Sequence, residues 1–189
     1  MIANYKTAFV AFGGNINSSH GAPRATISTA LDMLDSTSLT VIKTSSFYST
    51  PAVPKGSGPN FVNAVAKINT NLNAYELLGK FHNVENAFDR KRSKRWSPRT
   101  IDIDLLTLEH QVLPCTDEFL RWANLNVDQQ IKDTPKNLIL PHPRLHNRAF
   151  VLLPLKEIDK AWIHPVFKKS VNQLIKEIEP DEYKNIKLL

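Results

Sequence analysis

The run RTIDIDLLTL at residues 99–108 constrains the fold of this chain more than any other stretch. Ile101, Ile103 and Leu105 alternate with Asp102 and Asp104, a period of two that suits a β-strand and not a helix. Such a strand lays its apolar face on a core and turns two carboxylates to the other side, their Cα atoms about 6.5 Å apart at strand rise. Unpaired carboxylates in the middle of a strand are costly to bury. A positive partner therefore belongs on that face, either a divalent cation such as Mg²⁺ or the nearby arginines.

Three more segments read as strands and two as helices. Residues 7–13 (TAFVAFG) form an apolar run closed by Gly13, Gly14 and Asn15, a buried strand ending in a tight turn. Pro23 opens a segment with Ile27, Ala30, Leu31 and Leu34 at helical spacing, which predicts a helix to about Asp35. Leu39 to Phe47 is rich in β-branched residues and predicts a second strand, followed by a long loop through YSTPAVPKGSGPN. Phe61 to Asn69 alternates, with Val62, Ala64, Ala66 and Ile68 on one face and Phe61, Asn63, Val65 and Lys67 on the other. Asn73 offers an N-cap with Glu76 three residues on, and Leu77, Phe81, Val84 and Phe88 then form the apolar stripe of a helix running to about Asp89.

With the carboxylate strand, the order is β-α-β-β-α-β. This is the ferredoxin-like α+β arrangement, an antiparallel sheet with helices on one face and the opposite face free for a site. Residues 109–138 are polar and irregular apart from a short helix around 117–123. Helices near 145–153 and 170–178 complete a single domain over 1–189.

Composition narrows the function classes. At 189 residues and 42% hydrophobic content the chain can bury a substantial core. No run approaches the ~18 apolar residues of a membrane span, and the N-terminus lacks the layout of a signal peptide, which predicts a cytosolic protein. Cys115 is the one cysteine, so neither an intramolecular disulfide nor a thiolate zinc cluster is expected. Positive charge is concentrated: residues 90–99 hold Arg90, Lys91, Arg92, Lys94, Arg95 and Arg99 without an acidic residue, matching the formal net charge of +6 of the whole chain. A protein that coats nucleic acid spreads its charge over a long face, whereas a dense cluster suits a compact polyanion such as a nucleoside triphosphate. Read alone, the segment is also compatible with a solvated basic loop.

Neither a GxxxxGK[ST] loop nor a GxGxxG turn is present, so the two familiar phosphate cradles are excluded. The chain offers instead the basic loop, the strand carboxylates and a PHPRLHNR segment with His142, Arg144, His146 and Arg148. Carboxylates that hold Mg²⁺ and arginines that neutralise phosphate charge are the parts phosphoryl transfer needs. GGN at 13–15, SSFYSTPAV at 45–53, NFVNAV at 60–65, RKRSKRWSPRTIDIDLL at 90–106 and LPHPRLHNRAFVLLPL at 140–155 resemble, in order, the motifs of the 6-hydroxymethyl-7,8-dihydropterin pyrophosphokinases. The similarity covers most of residues 7–178. It implies a cytosolic, monomeric enzyme of folate biosynthesis that moves pyrophosphate from ATP to the pterin hydroxymethyl group and releases AMP. Neither nucleic acid nor a membrane is among the implied partners.

By that resemblance Asp102 and Asp104 bind two Mg²⁺ ions that bridge the triphosphate. Arg90 and Arg92 are implied as catalytic arginines, with Arg92 the clamp on the transferred group. Glu85, Arg90, Arg92, Trp96, Arg99, Ile103, His142 and Arg148 are implied around ATP. Thr50, Pro51, Val53, Phe61, Asn63, Trp96 and Phe150 are implied around the pterin, with Asn63 on its edge and Phe150 stacked on its ring. Loops around 48–59 and 89–98 are implied to close before transfer. His146 reads as a surface or capping histidine. The chain departs from the pattern at Ser97, where a smaller residue is usual, at Phe61, where a tyrosine can occur, and in the length of residues 114–136, read as an irregular insertion that is a lid, an interface or mobile. Two rival functions share some of these features. A small RNA-binding protein would use the basic loop with Trp96, but its sheet would carry two aspartates and no RNP1 aromatics; a metal-dependent nucleotidyltransferase or nuclease would use the same carboxylate pair.

Overall fold

A computed structural model describes residues 5–52, 56–90, 97–126, 129 and 132–189. In chain order the elements are β1 (Lys6–Gly14), α1 (Pro23–Leu34), β2 (Leu39–Thr44), β3 (Tyr48–Thr50), β4 (Phe61–Thr70), α2 (Ala74–Ala87), β5 (Asp102–Leu108), α3 (Thr116–Ala123), a 3-10 turn (Leu145–Asn147), α4 (Ala149–Ile158), α5 (Val171–Glu177), α6 (Pro180–Tyr183) and β6 (Lys187–Leu188). The described sheet is antiparallel in the order β5-β1-β4-β3-β6, with β2 also on β4. The β-α-β-β-α-β core predicted from periodicity is therefore present. Among the described residues no helix is long and apolar enough to cross a membrane.

The predicted single strand 39–47 is two strands, because the chain steps off the ladder between them. From Thr44 to Tyr48 it advances four residues while its partner β4 advances three, from Ala66 to Asn63. Ser45 fills the gap: its N–H donates to the Val65 carbonyl at 2.9 Å and its Oγ accepts from the Val65 N–H at 3.0 Å. Tyr48 to Thr50, expected as the start of a loop, pairs with both β4 and β6. This offset puts Thr50 in register with Phe61, the first residue of β4, two residues from Asn63.

Both sheet faces are covered, and this corrects the expectation of a free second face. On one side Ala8, Val10, Phe12, Ala66, Ile68, Ile103 and Leu105 pack with Ile27, Ala30 and Leu34 of α1 and Leu77, Phe81 and Val84 of α2. On the other, Phe9, Val65 and Leu106 meet Leu152 and Leu155 of α4 and Val171 and Leu174 of α5, with Trp162 edge-on to Phe9. A bulge opposite Phe9 and Val10 lets Leu105 and Leu108 share the first face while Leu106 serves the second. What remains open on the second face is one end of the sheet, where Gly13 is in register with both Asn63 and Asp102. The site is confined to that strip.

The predicted cap of α2 is formed in full. Asn73 Oδ1 accepts from the N–H groups of Tyr75 and Glu76, both at 3.0 Å, and Glu76 Oε2 accepts from the Asn73 N–H at 2.7 Å. Asn73→Ala is expected to lower stability by about 1 kcal/mol, as read by denaturant unfolding.

Candidate active site

Three elements converge at the open end of the sheet. From β5 come Asp102 and Asp104, partly exposed, on the face opposite the buried Ile103 and Leu105. The last turn of α2 supplies Glu85, and the segment after it supplies Arg90. The stretch that leads into α4 supplies His142 and Arg148.

Asp102 is gripped by two arginines, with Arg90 Nη2 donating to Oδ1 at 2.5 Å and Arg99 Nη1 donating to Oδ2 at 2.8 Å. The positive partners demanded by the sequence are thus in place. Arg90 in turn pairs with Glu85, and Glu85 Oε1 accepts the Ile103 N–H at 2.8 Å. Glu85 is only 1% exposed, a buried carboxylate that needs these partners. Burial, and after it the neighbouring Asp104 carboxylate, push the Asp102 carboxyl above its ordinary range; Arg99, Arg90 and Arg148 pull it back.

Asp104 is more loosely held. Arg148 Nη1 stands 3.7 Å and His142 Nε2 3.9 Å from its Oδ2. Burial, reinforced by Arg148 and Arg144, holds His142 well below the usual imidazole value, so the ring is neutral near pH 7. Its Nδ1 accepts the Arg144 N–H at 3.1 Å, which places the proton on Nε2, on the side of Asp104. A neutral donor there can serve an anionic oxygen without a change in charge.

The donor set fits a hard divalent cation. Two carboxylates on one strand face supply oxygen ligands, and among the described residues no group of three or more His, Cys, Asp or Glu side chains forms a closed cage. Mg²⁺ prefers such a sparse protein set, completing its shell with water and phosphate oxygens.

Next to the carboxylates lies a second group of side chains. Asn63 is buried, and its Nδ2 donates to Thr50 Oγ1 at 2.7 Å. A side chain on Gly13 would meet Asn63 Oδ1 at 2.9 Å, so glycine keeps that oxygen accessible. The Arg99 guanidinium carbon lies 5.7 Å from the centre of the Phe61 ring, and that of Arg148 lies 5.4 Å from Phe150. Each arginine therefore links a carboxylate to an aromatic ring. Pro51 follows Thr50 and is half-buried. Val53, Arg92 and Trp96 lie outside the described residues.

A cavity of about 200 Å³ lies beside these carboxylates. Glu85, Arg90, Asp102, Asp104 and His142 line it, and Leu78, Leu105, Leu138 and Ile139 contribute an apolar lining with His82. A larger cleft of about 650 Å³ lies elsewhere, between α1 and β2, and is lined by Asp32, Asp35, Val41 and Phe47 with no Lys or Arg. The paired carboxylates, Arg90 and His142 are gathered at the smaller one.

Sequence reasoning missed the apolar lining and one tether. Leu78, His82 and Glu85 are spaced four and three apart on α2, a helical stripe that points at the cavity and was legible in principle. Asn15, read only as part of a turn, is buried: its Oδ1 accepts the Arg99 N–H at 2.8 Å and its Nδ2 donates to the Pro59 carbonyl at 3.1 Å. It joins the segment carrying Arg99 to the one preceding Phe61. Any side chain on Gly14 would run into the Thr100 carbonyl, which explains the glycine in that turn. His146, by contrast, is away from the carboxylates, its ring 4.7 Å from Phe167 and 6.4 Å from His164.

The fold and motifs match known proteins. A family model described as 7,8-dihydro-6-hydroxymethylpterin-pyrophosphokinase matches residues 9–160. The 2-amino-4-hydroxy-6-hydroxymethyldihydropteridine pyrophosphokinase of Haemophilus influenzae is 32% identical over 182 residues, covering 96% of this chain and 98% of that protein. Its counterpart in Bacillus subtilis is 35% identical over 152 residues, covering 80% of this chain and 77% of that one. Among solved structures, wild-type Plasmodium falciparum HPPK-DHPS with STZ-DHP superposes with a TM-score of 0.65 at 14% identity, covering 98% of this chain and 45% of that one. The same protein with pteroate gives a TM-score of 0.65 at 13% identity, covering 92% and 44%. At such identity these structures support the fold alone, and the chain spans less than half their length.

Proposed function

The chain belongs to the 7,8-dihydro-6-hydroxymethylpterin-pyrophosphokinase family and transfers pyrophosphate from ATP to hydroxymethyldihydropterin in folate biosynthesis, and we propose that it does so at the open end of its sheet, with Mg²⁺ held by Asp102 and Asp104. The observation that carries this placement is the pair of strand carboxylates facing arginines and a neutral histidine beside a cavity that also has apolar lining.

In this reading the acceptor hydroxyl oxygen bonds to the β-phosphorus, the bond from that phosphorus to the oxygen bridging to the α-phosphate breaks, and AMP leaves with the electron pair. The hydroxyl proton passes to solvent. Two Mg²⁺ ions bound by the carboxylates would neutralise triphosphate charge and polarise the attacking hydroxyl. The side chains do the rest. Arg90 and Arg99 sit on Asp102, and once that carboxylate engages a cation their donors can turn to phosphate oxygens. Glu85 keeps Arg90 at the site while it does so. His142 would present its Nε2 proton to a phosphate oxygen, and Arg148 stands 3.7 Å from Asp104. By family resemblance Arg92 is the clamp on the transferred group, and Trp96 and Val53 complete the walls.

The pterin would lie beyond the carboxylates. Asn63, held by Thr50, offers Oδ1 and one N–H to a flat amide-like edge, and Phe61 and Phe150 offer ring faces. Both substrates are small and polar, and the chain is proposed to act on them as a cytoplasmic monomer.

The test is product identity. Incubated with ATP, Mg²⁺ and reduced hydroxymethylpterin, the protein should release AMP in equal amount to pterin diphosphate, and EDTA should stop the reaction until Mg²⁺ is restored. Formation of ADP or of free pyrophosphate would contradict the proposed transfer.

A further inference from the structure

The irregular insertion at residues 114–136 is anchored on the rest of the protein through its described residues. Their base is closed by a two-bond bridge, with the Leu113 N–H donating to the Leu140 carbonyl at 2.8 Å and the Leu140 N–H to the Leu113 carbonyl at 3.1 Å. Within them α3 is docked on the body of the protein. Its Phe119, fully buried, lies 5.5 Å ring to ring from His164 and 5.6 Å from Phe167. Trp122 is fixed in place by an Nε1 donation to Glu118 at 2.8 Å and by the Arg121 guanidinium, 4.9 Å from its ring centre.

The same apolar cluster that contains Phe119, Trp122 and Ala123 ends in Ile139, which is 4% exposed. Ile139 and its neighbour Leu138 line the 200 Å³ cavity that also contains Asp102, Asp104 and His142. The cavity lining is chemically mixed, charged and apolar. If the charged residues take the triphosphate, the apolar side chains of Leu78, Leu105, Leu138 and Ile139 are left for the flat, weakly polar base of the nucleotide. Backing for this wall comes from α3. Leu138 and Ile139 lie just outside β5, in a segment whose described ties to that strand begin at His142, where the N–H donates to the Leu106 carbonyl at 2.8 Å. The Leu113–Leu140 bridge fixes the backbone next to Ile139, and the apolar cluster with α3 is what packs against its side chain.

We propose that α3, through Phe119, is a positioning element for nucleoside binding: it braces Ile139 as a wall for the base and so sets the affinity for ATP without touching the reacting atoms. This rests on the reading that the cavity takes ATP. Phe119 is a positioning residue, and its effect should be confined to ligands that carry a base.

The experiment compares binding of a non-hydrolysable ATP analogue with binding of inorganic tripolyphosphate, each with Mg²⁺, by calorimetry. Phe119→Ala is expected to weaken the analogue by about tenfold, the equivalent of ~1.4 kcal/mol, and to leave tripolyphosphate within about twofold. The KM for ATP should rise in parallel, with kcat and the KM for the pterin within about twofold. Phe119→Leu should recover most of the loss. Leu174→Ala, in the core under α5 on the other face, should lower stability without moving the affinity for either ligand. Unchanged analogue affinity in folded Phe119→Ala, an equal loss for tripolyphosphate, or the same loss in Leu174→Ala would overturn the proposal. If Phe119→Ala does not fold, Phe119→Leu must still show a selective loss of about twofold for the analogue, and its absence counts against the proposal equally. A wild-type protein that bound neither ligand would overturn the placement of ATP as well, whereas analogue binding indifferent to Phe119 would overturn this inference alone.

Discussion

Asp104→Ala and Asp102→Ala are each expected to lose about a thousandfold or more in turnover, since removing a ligand to catalytic cations forfeits several kcal/mol of charge stabilisation and each 1.36 kcal/mol is a factor of ten in rate. The two variants should differ in stability. Asp104 is 38% exposed, and among the described residues the Arg148 guanidinium stands 3.7 Å and the neutral His142 ring 3.9 Å away, beyond hydrogen-bonding distance. Its removal relieves the repulsion that pushes the Asp102 carboxyl up. The melting temperature of Asp104→Ala should therefore stay level or rise. Asp102 carries direct bonds from Arg90 and Arg99, and Asp102→Ala leaves two guanidinium groups facing each other over an emptied position. That variant should melt at a lower temperature, and Asp102→Asn, which keeps two polar atoms there, should recover part of the loss while remaining inactive. Single-turnover rates together with thermal unfolding distinguish these outcomes. Near-full activity in either alanine variant would end the case for carboxylate-held cations.

The parts of this molecule that follow a period were legible before any coordinates. Alternation in Phe61 to Asn69 and in Ile101 to Leu105 assigned each residue to the correct sheet face, because a one-residue slip would have put Asp102 and Asp104 into the core with Phe81 and Ile27. The capping box of α2 was readable for the same local reason. What escaped was set by contacts between distant segments. α4 reads AFVLLPLKEI, apolar around most of its circumference, so its pattern announces burial but not the partner, and its docking on Phe9 and Val65 closed a face expected to be open. The break at Ser45 was invisible because β-branched and hydroxyl residues continue across it, and only the register on β4 reveals the extra residue. The base wall combines Leu78, Leu105, Leu138 and Ile139 from three separate segments, each unremarkable alone. Resemblance contributed what periodicity could not, namely that Glu85, His142 and Arg148 belong with the carboxylates; residues 91–96, which hold Arg92 and Trp96, lie outside the described structure. The RNA-binding alternative fails at the same place, since the open strip presents two carboxylates and its arginines are turned onto them.

Glu85→Ala is expected to be the most destabilising single change at the site, at about 3–5 kcal/mol, the range for breaking a buried ion pair by removing one partner. β5 is an edge strand whose paired neighbour in the sheet is β1, so the Ile103 N–H points away from the ladder. Glu85 Oε1 satisfies it at 2.8 Å from within the last turns of α2, and the same carboxylate neutralises Arg90, whose side chain is only 16% exposed. Alanine at 85 would thus leave a buried backbone donor and a nearly buried guanidinium short of acceptors at once. For a domain of this size about 2–4 °C are lost per kcal/mol, so the melting temperature should fall by roughly 10 °C. Glu85→Gln separates the two duties. Its amide oxygen can still accept the Ile103 N–H, so most of the stability should return, yet without the negative charge Arg90 has Asp102 as its remaining carboxylate partner among the ion pairs described. Arg90 would then be held more tightly to Asp102, competing with the cation for the carboxylate. The expected signature of Glu85→Gln is a near-normal melting temperature with a raised Mg²⁺ requirement for AMP release, by about tenfold, corresponding to ~1.4 kcal/mol. Equal Mg²⁺ dependence in wild type and Glu85→Gln would mean that Arg90 and the cation do not share Asp102, and the arginines would then be structural neighbours of the site and not part of its working charge.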